Sequence, residues 1–335
     1  MVTTRIFLSL ICTNPLHSSS GRFCHPRSLL NSLLIRRRMT ASSTPLNEDS
    51  PSKSHAANNA KRPFVDVYPF GTDSASLPHY SAIKTIFFVR HAEGTHNVKK
   101  AYRDMENLDA RLTERGKGQC RALADRIDQK ADDVVKHLKE SAELVITSPM
   151  TRCVQTALLT MQPVLQARPT VQVIAHEGIR ETVNYNCDRR RNLSEIRNEF
   201  PQVDFAPLAD QEEDPLWEYY EKWLGSDQEY TTHRESAQIY KVGERGRTFL
   251  FEYLIHRPEE HIVLCSHRAF SRAFFNFGHG DSGNHTRDVE QTLDSRTNKE
   301  DDIIFRYMGE DETFGKSLRA DYNNCELRAM ILAFP

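Results

Sequence analysis

The chain has 335 residues and nearly balanced charge, 44 Lys and Arg against 46 Asp and Glu, so any attraction for anions must be local rather than a global pull toward nucleic acid or acidic membranes. An apolar content of 39% suffices for one sizeable core, and a mean hydropathy of -0.60 argues for a soluble protein with no stretch long enough to span a bilayer. The seven cysteines form no Cys-x-x-Cys pair and point to neither a disulfide framework nor a zinc site.

Residues 1–61 are rich in Ser, Pro, Asn and Arg, with no acidic residue before Glu48, and are expected to be a disordered extension that does not fold with the rest. An acid-free, Arg-rich and Ser-rich beginning is like an organelle transit peptide, and Ser28 to Arg38 reads as a short amphipathic basic helix. That implies a mitochondrial or plastid protein; a start at Met39 leaves a cytoplasmic one. Residues 62–335 read as one domain.

The first strong element is Thr85 to Val89, a β-branched and aromatic run suited to a strand buried on both faces of a parallel sheet packed between helices. It ends on Arg90 and His91. Ligands of open α/β sheets sit beyond the carboxyl ends of the strands, where these two side chains emerge. A helix is expected from Thr113 to about Lys139, then a strand over Leu144 to Thr147. Ser148 as N-cap and Pro149 as first helical residue open a helix to about Met161, with Arg152 in its first turn. A strand over Val171 to Ala175 leads into a long loop containing Glu181. Helices follow near Pro215 to Leu224, with Trp217, Tyr220 and Trp223 in one core patch, and from about Glu235 to His256. His261 to Cys265 repeats the first construction, ending in Ser266-His267-Arg268 before the helix-compatible Ala269 to Phe275. Gly278 to Asp302 reads as a polar surface insertion and Cys325 to Phe334 as a final strand. The pattern gives an α/β fold, a three-layer sandwich with a mostly parallel central sheet flanked by helices.

Arg90, His91, Arg152 and His267 bring two guanidinium forks, two imidazoles and a helix N-terminus to one sheet edge. That set suits a doubly charged oxyanion, with phosphate the obvious occupant. One His at a strand end, or one Arg on a helix, is more often structural; the adjacency of Arg90 and His91 and the echo at His267 argue for a site.

With these residues in this order, Ile83 to Pro335 resembles the histidine phosphatase superfamily, which includes phosphoglycerate mutases and many phosphatases. The family's opening Arg-His-Gly with a later Asn is matched by Arg90, His91 and Asn97, with Ala92 in place of the glycine. Its Leu-Thr and following helix with Gly and Gln match Leu112 through Gln119. Its Ser-x-x-x-Arg-x-x-Gln-Thr-Ala segment matches Ser148 through Ala157 and gives Arg152 the part of second pocket arginine. The Arg-Glu pair that supplies the proton donor matches Arg180-Glu181, and the second histidine is His267. Arg268 stands where a Gly often follows that histidine, and no Gly follows the Arg-Glu pair at the usual distance.

The resemblance implies a nucleophile at His91 that forms a phosphohistidine, which an imidazole with a pKa near about 6.5 can do while one ring nitrogen is unprotonated. Arg90, Arg152 and His267 would hold the phosphoryl oxygens, Asn97 would add a contact, and Glu181 would protonate the leaving alcohol and later take a proton from water. Glu177 is the rival proton donor, and Asn97 suits turn chemistry equally well. The segment Cys187-Asp188-Arg189-Arg190-Arg191 is either a solvated basic loop or a contact, through Arg189 and Arg190, for a second anionic group; a Cys-Asp-x-Arg segment also occurs in the plant and protist phosphoglycerate mutase-like branch. Arg268 is a further candidate contact. The expected function is a metal-independent phosphatase acting on a phosphorylated small molecule, with no cofactor and no nucleic-acid or membrane partner. The alternatives are a phosphoglycerate mutase-type phosphotransferase and a phospho-ligand-binding protein with little turnover, the latter supported by Ala92 and Arg268.

Overall fold

The computed structural model describes residues 62–77, 79–224, 235, 239–279, 303–309 and 312–335. Within them lie β1 (Val65–Pro69), β2 (Ala82–Arg90), β3 (Leu144–Thr147), β4 (Gln172–Ala175), β5 (His261–Ser266), β6 (Phe305–Tyr307) and β7 (Leu327–Phe334), joined in one sheet in the order β4-β3-β5-β2-β7-β1-β6. Neighbours from β4 to β2 are parallel. β7 runs antiparallel between β2 and β1, and β1 is parallel to β6. Every strand but β7 therefore points the same way, as the mostly parallel sheet requires.

The alternation along β2 divides the core into two layers. Phe87 and Val89 pack with Leu123 and Ile127 of α1 (Glu114–Asp128), Val135 and Leu138 of α2 (Asp133–Ser141), and Val154 and Ala157 of α3 (Thr151–Thr160). Ile86 and Phe88 pack on the opposite face with Val242 of a helix at Ile239–Thr248 and with Phe270 and Phe274 of a helix at Arg268–Asn276. Successive side chains of a strand point to opposite faces, so one run of apolar residues serves both layers. Phe87 and Phe88 are fully buried, and truncating either to Ala costs roughly 3–5 kcal/mol.

Among the described residues the remaining α-helices are, in chain order, α4 (Gln162–Ala167), α5 (Leu193–Glu199), α6 (Pro215–Leu224), α7 (Ile239–Thr248), α8 (Arg268–Asn276) and α9 (Glu312–Arg319). No helix of the described residues is long and apolar enough to cross a membrane.

Several expectations shift. The helix expected over Thr113 to Lys139 is two: Lys130 takes a left-handed conformation at φ 51, and the Asp132 carboxylate accepts from the Val135 N–H to start α2. Ser148 does not cap α3, which begins after Met150; Asp109 reaches across and accepts from the Thr151 N–H at 2.8 Å and its hydroxyl at 2.5 Å. The segment expected as one helix from Glu235 continues past α7 through a π turn at Phe249–Tyr253 and a 3-10 turn at Leu254–His256, while Glu235 itself lies outside it. Trp217 and Tyr220 are buried together with Val183, and the Trp223 side chain lies outside the described residues. So do residues 1–61 and most of Gly278 to Asp302.

β1 and β6 were not foreseen. β1 has only five residues and carries Asp66, whose buried carboxylate takes the Arg306 guanidinium of β6 at 2.6 and 2.7 Å. An ion pair across two strands hides each from a search for apolar runs.

Candidate active site

β2 and β5 are hydrogen-bonded neighbours with Arg90 opposite Ser266, so His91 and His267 leave the sheet at the same level. The His91 N–H donates to the Ser266 carbonyl at 2.8 Å, and the two imidazoles lie 5.0 Å apart between centroids at 61°. His91 Nδ1 is 2.7 Å from the Ala92 carbonyl. A carbonyl only accepts, so Nδ1 carries the proton and the Nε2 lone pair is free. Burial, then the Arg152 and Arg90 charges, hold His91 well below the usual imidazole pKa. At neutral pH the ring is neutral, protonated on Nδ1 only.

The loop after His91 is braced from α1. The Gln119 side-chain oxygen accepts the Glu93 N–H at 2.8 Å, and the Glu93 carbonyl accepts the Thr113 N–H. Gly116 is required here, because a Cβ at that position would stand 2.1 Å from the Glu93 carbonyl oxygen. Ala92 is fully buried against Leu112 and Cys120, so its methyl enters the core instead of crowding the pocket.

His267 is fully buried, with Nε2 hydrogen-bonded to Ser148 Oγ at 2.8 Å. Ser148 thus serves the second histidine in place of the helix start. Burial, followed by Arg152 and His91, holds His267 well below the ordinary imidazole value too.

Arg90 donates from Nη1 to the Tyr322 carbonyl at 2.6 Å, and Arg152 donates to the Cys187 carbonyl at 2.6 Å and to Asp188 Oδ1 at 3.0 Å. Each keeps a buried Nε with no partner. The N-terminus of α3, expected to share in anion binding, is occupied by Asp109 and contributes Arg152 alone.

Glu181 joins the histidines, with one atom each of His91, Glu181 and His267 within 4.8 Å of one another. Its carboxylate accepts from the Phe270 N–H at 2.9 Å in the first turn of α8. Burial, reinforced by Asp188, raises its pKa. Glu177 instead receives Arg180 at 3.3 Å and Arg190 at 3.0 Å and is held in an ion-pair network. The two histidines and Glu181 have the donor types of a small metal site. The flanking guanidiniums, which already depress the proton affinity of both imidazoles, oppose a dication in the same way and favour an anion.

Arg190 is a correction. All its donors are taken inside the protein, by Glu177 and by the carbonyls of Arg191, Gln211, Glu212 and Glu213, leaving none for a substrate. Arg191 binds Asp109 and Glu199, and Arg189 lies 5.4 Å over the Trp217 ring. Three consecutive arginines therefore hold the loop together from three directions. Arg268 is half-exposed and shares Asp321 with Arg272. Asn97 uses its Oδ1 to accept the Gly94 N–H at 3.0 Å, the turn role weighed for it.

Two site residues escaped the sequence reading. Asp188 is buried and orients Arg152; its signal was the Cys-Asp-x-Arg segment, in which the arginines drew attention and the acid did not. His96 is buried 5.6 Å from the His91 ring with Nδ1 unpartnered, and burial with Arg152 and Arg90 lowers its pKa to about 2. Its signal was adjacency to Asn97.

Phosphoglycerate mutase-like protein 1 of Arabidopsis thaliana is 32% identical over 216 residues, spanning 56% of this chain and 69% of its own length. A probable phosphatase of Schizosaccharomyces pombe is 24% identical over 191 residues, spanning 57% of this chain and 77% of its own. Among solved structures, the ecdysone phosphate phosphatase of Bombix mori with tungstate superposes with a TM-score of 0.40 at 14% identity, covering 73% of this chain and 88% of that one. The model of the histidine phosphatase superfamily (branch 1) matches residues 86–298. That match begins on β2, which delivers Arg90 and His91, and extends beyond β5, which delivers His267; the chain belongs to the histidine phosphatase superfamily.

Proposed function

We propose that the protein is a metal-independent phosphatase that hydrolyses a small phosphomonoester through a phosphohistidine on His91. The observation that carries this reading is the hydrogen bond from His91 Nδ1 to the Ala92 carbonyl, which leaves an unprotonated Nε2 beside His267 and Glu181. Nε2 attacks phosphorus and the ester oxygen leaves with the proton of Glu181, whose raised pKa suits it to donate. Arg90 and Arg152 offset the charge on the equatorial oxygens, the main source of catalysis in phosphoryl transfer. A bound dianion would also return a proton to His267 by countering the charges that depress it. Water then attacks the phosphohistidine, Glu181 takes its proton, and inorganic phosphate leaves.

The names of the relatives favour a second reading, in which the phosphoryl group passes to a sugar acid instead of water. One experiment separates these: the purified protein is given a generic phosphomonoester with chelator present, beside His91→Ala. Chelator-resistant phosphate release lost in the variant supports the phosphatase. Isomerisation of a phosphoglycerate without phosphate release supports the mutase, and oxyanion binding without either supports a binding protein.

A further inference from the structure

A row of rings leads outward from the nucleophile. His96 lies 5.6 Å from His91 between ring centroids, Tyr102 lies 5.8 Å from His96, and Tyr185 is stacked on Tyr102 at 5.7 Å and 27°. Arg103 closes the far end, 5.6 Å over the Tyr185 ring. His96 is buried, whereas both tyrosines are partly exposed and neither belongs to a core cluster of the fold. Packing of the core therefore does not account for them.

Hydrogen bonds hold the row in place relative to the phosphate pocket. One Asp188 oxygen accepts from Arg152 at 3.0 Å and the other from the Tyr185 N–H at 3.2 Å, so a single carboxylate sets the pocket arginine and the outer ring together. The Cys187 N–H donates to the Tyr102 carbonyl at 3.2 Å, and the Asn186 side-chain amide donates to the Arg103 carbonyl. Those two bonds tie together the loops that carry the tyrosines. Rings fixed in this way bind a partner without first being ordered by it.

The arginines that would suit a second anionic group are committed elsewhere, Arg190 and Arg191 to carboxylates and carbonyls, Arg189 to the Trp217 ring and Arg268 to Asp321. We propose that His96, Tyr102 and Tyr185 form the leaving-group subsite, and that the preferred substrate is a phosphomonoester whose alcohol carries an aromatic ring one or two carbons from the ester oxygen. With the phosphoryl group at His91, such a ring reaches past His96 to the tyrosines. Aromatic rings pair best offset or edge to face at about 4.5–7 Å between centroids, the spacing that the row already keeps, so a substrate ring extends the same pattern. A sugar acid has no ring face to offer and would lose water from its hydroxyls against this wall. The subsite gives the substrate class of the site described above, and only its link to turnover rests on the phosphatase reading.

Phosphonates, which are not hydrolysed, test the subsite by calorimetry on the full chain. Benzylphosphonate should bind about tenfold or more tighter than methylphosphonate, and carboxyethylphosphonate, acidic like a sugar acid, no tighter than methylphosphonate. Both tyrosines lie outside the core, so Tyr102→Leu and Tyr185→Leu should fold, and in each the benzyl-to-methyl ratio should fall to about threefold or less. The kcat/KM for phenethyl phosphate should exceed that for glycerol phosphate, another primary alkyl ester, by about the tenfold seen in binding. Equal binding of the benzyl and methyl compounds, tightest binding of carboxyethylphosphonate, or a benzyl preference that survives in both variants overturns the subsite. A benzyl preference that collapses in the variants while neither ester is hydrolysed upholds the subsite and overturns the phosphatase reading alone. A protein that binds none of the phosphonates overturns the phosphate pocket and the subsite with it.

Discussion

Arg152 on α3 and Arg190 in the loop after Glu181 are both buried arginines close to the same site, and they differ in what each has left to offer. Arg152 binds Asp188 and a carbonyl but keeps its Nε unpartnered; Arg190 has every donor taken by Glu177 and a ring of carbonyls. The pocket floor, formed by Arg90 at the end of β2 and Arg152 in the first turn of α3 beside the histidines, keeps donors in reserve, whereas the loop uses its donors to hold its own shape. Proximity to a pocket therefore makes an arginine a ligand only where the fold leaves it unsatisfied.

The largest expected effect is at His91. His91→Ala should lower turnover by roughly 10⁴-fold or more, measured as phosphate release with chelator present. Retained activity would move the nucleophile away from the floor. Glu181→Gln should cost about 10²- to 10⁴-fold on an alkyl phosphate and less on a nitrophenyl ester, whose leaving group needs little proton assistance. Because Glu181 must be protonated to donate and its pKa is raised, activity in the parent should fall as pH rises through that pKa; the Gln variant should lose this limb.

Arg190→Met sharpens the contrast from the loop side. Leaving Glu177 and several carbonyls unpaired should destabilise the fold by about 3–5 kcal/mol in urea unfolding. KM should change by less than about threefold, since no Arg190 donor reaches substrate. The smallest effect comes from pH. His91, His96 and His267 are neutral in the folded protein, while an unfolded imidazole protonates near about 6.5. The unfolded state binds more protons below that value, so stability falls as pH drops, and the His96 share, with its folded pKa held at about 2, is roughly 2 kcal/mol at pH 5. His96→Phe should remove one share, seen as a smaller shift in unfolding midpoint between pH 7 and 5.

The floor was legible because its information is local. An apolar run followed by Arg-His, and another followed by Ser-His, encode both a buried strand and the groups at its end. The expected three layers follow from the same runs, and the family match agrees with them. The loop was not legible because its meaning lies in partners far along the chain: Arg180 finds Asp214, Arg191 finds Asp109, and Arg152 finds Asp188. The break between α1 and α2 was missed for a related reason. Residues 114–139 are helix formers on both sides of a left-handed Lys130 and an Asp132 cap, and a periodic pattern does not register a single turn of the wrong hand. Ser148 was read as an ordinary cap; only the approach of β5 shows it bound to His267.

The late position of β7 bears on how the protein is born. β2 is flanked on one side by β5 and on the other by β7, so its second edge has no partner until residues 327–334 have been synthesised. The residues just before β7 supply the Tyr322 carbonyl that holds the Arg90 side chain and the Glu326 carbonyl that accepts the Arg90 N–H. A nascent chain halted before Tyr322 would present an apolar, unpaired strand, a template for aggregation that calls for chaperone cover. Such a chain would also lack the groups that seat Arg90, so the arrangement around Arg90 should be completed only once residues 322–334 have been made.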